Sequence, residues 1–88
     1  MSERLELLES RPAEIEGVRF GVANIWERDF LDASGEQRSG LTAQLMFEDG
    51  HDEFVGEGSS VRLGKSTWSV AEVRSGPPSA ALVLLRVA

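Results

Sequence analysis

The stretch LTAQLMFE, residues 41–48, sorts its side chains by parity. Leu41, Ala43, Leu45 and Phe47 fall on one side, and Thr42, Gln44, Met46 and Glu48 on the other. A repeat of two is the mark of an extended strand with one face on a core, and it rules out a helix over the same residues. The habit recurs along the chain. In GVRFGVANIW (17–26), Val18, Phe20 and Val22 align, and the phase then slips at Ala23 and Ile25, which predicts a β-bulge. SVRLGKSTWSV (60–70) is two short runs around Gly64-Lys65, a pair suited to a two-residue turn with glycine first. That turn sets Val61 opposite Trp68 and Arg62 opposite Thr67, so that Val61, Leu63, Trp68 and Val70 share a face.

Other segments follow less directly. AALVLLRVA (80–88) is apolar in both phases, as expected of a strand covered on both sides. Ser75-Gly76-Pro77-Pro78-Ser79 separates it from the preceding strand, because neither proline can donate to a ladder. DASGEQRSG (32–40) has no periodicity and reads as a long mobile loop. SERLELLES, near the start, is too short for a helix that holds alone, and with β neighbours it is expected to be a strand ended by Arg11-Pro12.

The expected fold is therefore a single all-β domain over 1–88: a small antiparallel β-sandwich or partly open barrel of six to seven strands. Its expected core is Val18, Phe20, Val22, Leu41, Leu45, Phe47, Phe54, Val61, Leu63, Trp68, Val70, Val83 and Leu85. A chain of 88 residues buries only about 60–65% of its unfolded surface, so this core is thin. It has no cysteine, hence neither a disulfide nor a thiolate metal site. MSERLELLES offers no apolar run suited to a signal peptide, and AALVLL is too short to cross a bilayer. A cytoplasmic location is the expectation.

Net charge is −6, unevenly spread. Residues 1–57 carry fourteen acids against five arginines, whereas 58–88 carry one acid, Glu72, against Arg62, Lys65, Arg74 and Arg86. Such a chain should repel nucleic acid and acidic headgroups and attract a basic protein.

Five carboxylates, the single histidine and three glycines crowd into FEDGHDEFVGEG, residues 47–58. Asp49-Gly50 between two alternating runs is a hairpin signal. A two-residue loop sets Leu45 opposite Phe54, a four-residue loop sets Phe47 opposite Phe54, and both keep Phe54 in the core. The carboxylates then lie at a wet tip. EDGHDE does not keep the ligand offsets of a calcium loop, and one imidazole is a poor start for a transition-metal site. No metal or other cofactor is expected. His51 lacks an evident nucleophile to activate, and no G-x-S-x-G elbow, P-loop or dinucleotide fingerprint occurs, so no catalytic residue is assigned.

Of the two tryptophans, Trp68 belongs to the apolar stripe of 61–70. Trp26 lies past the phase slip and precedes Glu27-Arg28-Asp29; it either caps the open end of the core or anchors a partner.

GSSVRLGKSTWSVAEVRSGPPSAALVLLRV (58–87), with its leucine–glycine turn, Thr-Trp-Ser-Val run and final apolar strand, resembles the C-terminal part of small all-β bacterial proteins of unknown function from high-GC genomes. GVRFGV (17–22) is similar to their earlier strand, and eight arginines against one lysine agree with such a source. The resemblance implies a fold class and a bacterial origin, and no activity.

The functional expectation is a non-enzymatic interaction module, an acidic accessory or inhibitor-like domain. Glu48, Asp49, Asp52, Glu53, Glu57 and Trp26 would meet a basic partner. A ligand-binding groove near Trp26 is the alternative, with an enzyme a third reading. Apolar residues in both phases of 80–88 also raise a homodimer through a sheet edge or face.

Overall fold

A computed structural model describes residues 3–76 and 80–87. The expected linker prolines Pro77 and Pro78 lie outside the described residues. Two four-stranded antiparallel sheets pack face to face, and neither closes into a barrel. Sheet I takes β1 (Arg4–Leu8), β8 (Ala81–Arg86), β7 (Ser66–Arg74) and β6 (Ser60–Leu63), in that spatial order. Sheet II runs β2 (Pro12–Ile15), β3 (Val18–Leu31), β4 (Gln37–Phe47), β5 (Asp52–Gly56).

The strands number eight among the described residues, against six to seven expected, because 4–15 supplies two strands. The expected end of the first strand at Arg11-Pro12 is replaced by a crossing between sheets. Pro12 opens an edge strand, where a missing N–H costs least. The expected long loop over 32–40 shortens to 32–36. Asp32 orders it by accepting from the N–H groups of Ser34 and Glu36, each at 3.0 Å.

Between the sheets lie Phe20, Val22, Ala43, Leu45, Phe47, Val55, Val61, Leu63, Trp68, Val70, Val73, Leu82 and Leu84. Trp68 is 1% exposed. Burying each of the larger side chains contributes roughly 1.5–3 kcal/mol. Val61 faces Trp68 and Arg62 faces Thr67 across Gly64-Lys65, as the pattern required. The bulge in β3 falls between Ala23 and Trp26, with Asn24 at φ 49°.

Two core assignments, Leu85 and Phe54, need correction, while Val83 is buried as expected. Val83 and Leu85 lie in the outward phase of β8, and Leu82 and Leu84 fill the interior. Alternation could not decide, since both phases are apolar; pairing with β1 and β7 does. Val83 is nonetheless buried. The register sets Glu6 and Glu72 on either side of it and Arg74 beside Ala81. Arg74 pairs with Glu6 and, at 3.6 Å, with Glu72, so long charged side chains close this surface in the single chain.

Phe54 is the second correction: it is 45% exposed, and Val55 takes the core position. Neither expected loop forms. Gly50 N–H donates to the Phe47 carbonyl and Phe47 N–H to the His51 carbonyl, both at 3.0 Å. The loop is the three residues Glu48, Asp49 and Gly50, with only Gly50 (φ 97°) in the left-handed region. A two-residue type I′ loop would have put Asp49 there as well, at a cost that glycine avoids. One residue of slip exchanges the faces of β5.

Two other turns lock the sheets together. Glu16 and Gly17, at φ 51° and 81°, form the β2–β3 turn, and Glu16 reaches across to the β6–β7 turn. Its carboxylate accepts from the Ser66 hydroxyl and from Lys65 N–H (3.2 Å), with the Arg86 guanidinium at 3.6 Å. Gly64 (φ 64°) lies so close that an added Cβ would stand 2.8 Å from Glu16 Cβ. The Ser66 hydroxyl, then Lys65 N–H and Arg86, hold the Glu16 carboxyl below its ordinary 4.5. A lowered carboxyl contributes stability that is full above 4.5 and fades as pH falls through the folded value. Between pH 5 and acid, Glu16→Gln should therefore lose less of its own stability than wild type loses, by urea unfolding. Parallel decline in both proteins would exclude Glu16 from the latch.

Candidate functional site

The five carboxylates of 47–57 do not form one patch. Glu48 and Asp49 stand in the β4–β5 turn, Asp52 and Glu53 start β5, and Glu57 lies past its far end, beside Phe30 and Arg38. Most of the tip acids also have partners inside the chain. Glu48 lies 3.7 Å from Arg19, and Asp52 accepts from Gln44 Nε2 at 2.9 Å. His51 stacks on Phe47, ring centroids 4.3 Å apart. Its Nδ1 is 2.7 Å from Asp49 and its Nε2 3.4 Å from Glu53. Carboxylates at both ring nitrogens favour the doubly protonated imidazole, so Asp49 first, with Glu53, raises His51 above 6.5. Asp49 is lowered in turn, chiefly by His51 N–H and then by the ring.

A cleft of about 390 Å³ opens beside this cluster, lined by Val18, Arg19, Phe47, His51, Glu53 and Arg62 among others. It lies at the hairpin-tip end and does not reach Trp26. Both ring nitrogens of His51 are engaged by carboxylates of the tip. The arrangement orders the hairpin tip.

The outward face of sheet II is different. Residues paired across antiparallel strands point the same way, so Trp26 and Gly56 share a side with Thr42, Phe54 with Gln44, and Asp52 with Met46. The partners in the other phase, Ala43, Leu45 and Phe47, lie in the core. Trp26 is 54% exposed, Phe54 45% and Met46 44%. Thr42 steadies the strand beneath, its hydroxyl donating to the Trp26 carbonyl at 2.9 Å. Arg28, opposite Gly40, places its guanidinium carbon 4.9 Å from the Trp26 ring and 4.1 Å from that of Phe54. Two rings thus hold a cation whose N–H groups meet no carboxylate among the described residues.

Of the residues singled out in the sequence, this face unites Trp26 and Asp52. Glu48, Asp49 and Glu53 gather instead around Arg19 and His51, and Glu57 stands apart. Arg28, Met46 and Phe54 join the face without having been singled out. Arg28 is within reach of sequence reasoning, since it follows Trp26 by two and so shares its side of the strand. Phe54 is hidden by the loop length.

Comparison of the chain with protein-family models, with curated proteins and with solved structures finds no match in any of the three.

A histidine titration tests the tip. The C2–H resonance of His51 should shift with a midpoint above 6.5 in wild type and closer to 6.5 in Asp49→Asn. The stability this contact adds is full below 6.5 and is lost as pH rises through the folded value. Equal midpoints in the two proteins would dismiss the pairing.

Proposed function

We propose that the chain is a non-enzymatic protein-interaction module and that the outward face of sheet II is its docking surface. One observation carries the reading: Trp26 and Phe54 hold Arg28 between exposed rings, and Met46, with them three of the five exposed large apolar side chains among the described residues, stands on the same sheet face. Apolar side chains scattered singly over a surface need no explanation, but a contiguous group does. Tryptophan, arginine, phenylalanine and methionine are the residues that interfaces concentrate at their centres. Exposing them in a thin-cored chain gives up burial that the fold could use, at roughly 25 cal/mol for each Å². A partner that covers them restores it.

The partner class we propose is a basic protein. A net charge of −6 draws cations from a distance, and Asp52 lies on the docking face beside Met46. The aromatic group supplies the contact and the acids guide approach. On this reading the Glu48, Asp49 and Glu53 cluster sets the hairpin's shape and adds to the field without making the main contact.

The test is affinity capture from the cells that make the protein, with wild type beside the double variant Trp26→Ser, Phe54→Ser. Both positions are exposed, so the variant should stay folded by circular dichroism. Retention of the bound protein should fall at least about tenfold in the variant, and should weaken as salt rises. Equal capture by both chains would contradict the reading.

A further inference from the structure

We propose that in the free protein this same face is closed by a second copy of the chain, with Arg28 of each copy on Asp52 of the other. The inference rests on the face being a docking surface and names its occupant before any other partner arrives.

The face is complementary to itself. Arg28 presents a cation that meets no carboxylate among the described residues, and Asp52 an anion whose recorded partner is the neutral amide of Gln44. They stand on the two strands that flank β4, Arg28 opposite Gly40 and Asp52 opposite Met46. Ala43 marks the midpoint along β4, three residues from each. A two-fold axis lying between two such faces, over the middle of β4, brings each Arg28 above the other copy's Asp52. The same operation buries Trp26 and Phe54 between the two ion pairs, with Met46 beside Asp52 at each end.

Size and charge permit it. The chain spans 29 × 29 × 28 Å, so one sheet face can offer about the 800 Å² per side of a standard interface. Two chains at −6 repel at long range, yet at about 0.15 M salt the screening length is near 8 Å and contacts at the interface decide. There the two aromatic-held arginines and two aspartates are matched. Each guanidinium keeps its faces on rings and donates from Nη2 to the Asn24 carbonyl at 3.4 Å, which leaves the N–H groups of Nη1 for a carboxylate.

Sedimentation of the purified chain at physiological salt, across roughly a hundredfold range of concentration, reads the outcome directly. Wild type should pass from one chain mass to two. Arg28→Glu alone and Asp52→Arg alone should each weaken association at least about tenfold, since both create like-charge contacts. Mixing the two variants should restore a dimer. The glutamate of the Arg28→Glu chain then meets the arginine of the Asp52→Arg chain, while the native Arg28 of one meets the native Asp52 of the other. A single-chain mass at every concentration, or a dimer indifferent to both reversals, overturns the proposal. A monomer that still captures a partner through Trp26 and Phe54 would overturn this inference alone and leave the docking face standing.

Discussion

Everything that distinguishes the two sides of sheet II depends on a turn of three residues. Glu48 and Asp49 keep ordinary backbone angles, Gly50 alone enters the left-handed region, and Phe47 exchanges its bond with His51. From that point each residue of β5 has its side decided. Val55 enters the core and Phe54 leaves it, within reach of the guanidinium of Arg28. With one residue more or fewer in the loop, a phenylalanine would press into the interior against Leu45 or Phe47 and a valine would stand in water. The thin core has no room for such an exchange, so the packing between sheets and the turn chemistry agree on one register.

The far end of the fold is held by a different device. The β2–β3 and β6–β7 turns belong to separate sheets, and Glu16 joins them by bonding to Lys65 and Ser66 while lying against Gly64. A sandwich without disulfides can slide or splay at its ends; here a charge-assisted contact resists this where apolar area is scarce. At the hairpin end, His51 does comparable local work by stacking on Phe47 and drawing in Asp49 and Glu53. Much of the acidity that stands out in the sequence is therefore committed to holding turns.

How far the sequence reveals this follows from what alternation can and cannot encode. Where one phase is apolar and the other polar, as in 60–70, sidedness and pairing are legible, and Val61 does face Trp68. The β3 bulge is legible because the phase itself slips at Ala23. The sides of β8 are not, because both phases of 81–85 are apolar and only its neighbours choose between them. Pattern alone misplaces Phe54 because Phe54 and Val55 are both apolar, leaving loop length as the arbiter. Glu16 gives no local sign, since its partners lie about fifty positions away in the chain. The proposed docking face is half legible: Trp26 and Arg28 share a strand side by simple parity, while Phe54 joins them only once the register is known.

The exposed aromatic face, the trapped arginine and the proposed partners all descend from the pairing of β4 with β5, so that pairing is the point to measure. A nuclear Overhauser spectrum of the folded chain reads it through backbone Hα contacts across the two strands, which are shortest between directly opposed residues outside the hydrogen-bonded pairs. The structure requires contacts from Gln44 to Phe54 and from Met46 to Asp52. A contact from Leu45 or Phe47 to Phe54 in their place would put that ring back in the core and dissolve the proposed docking face.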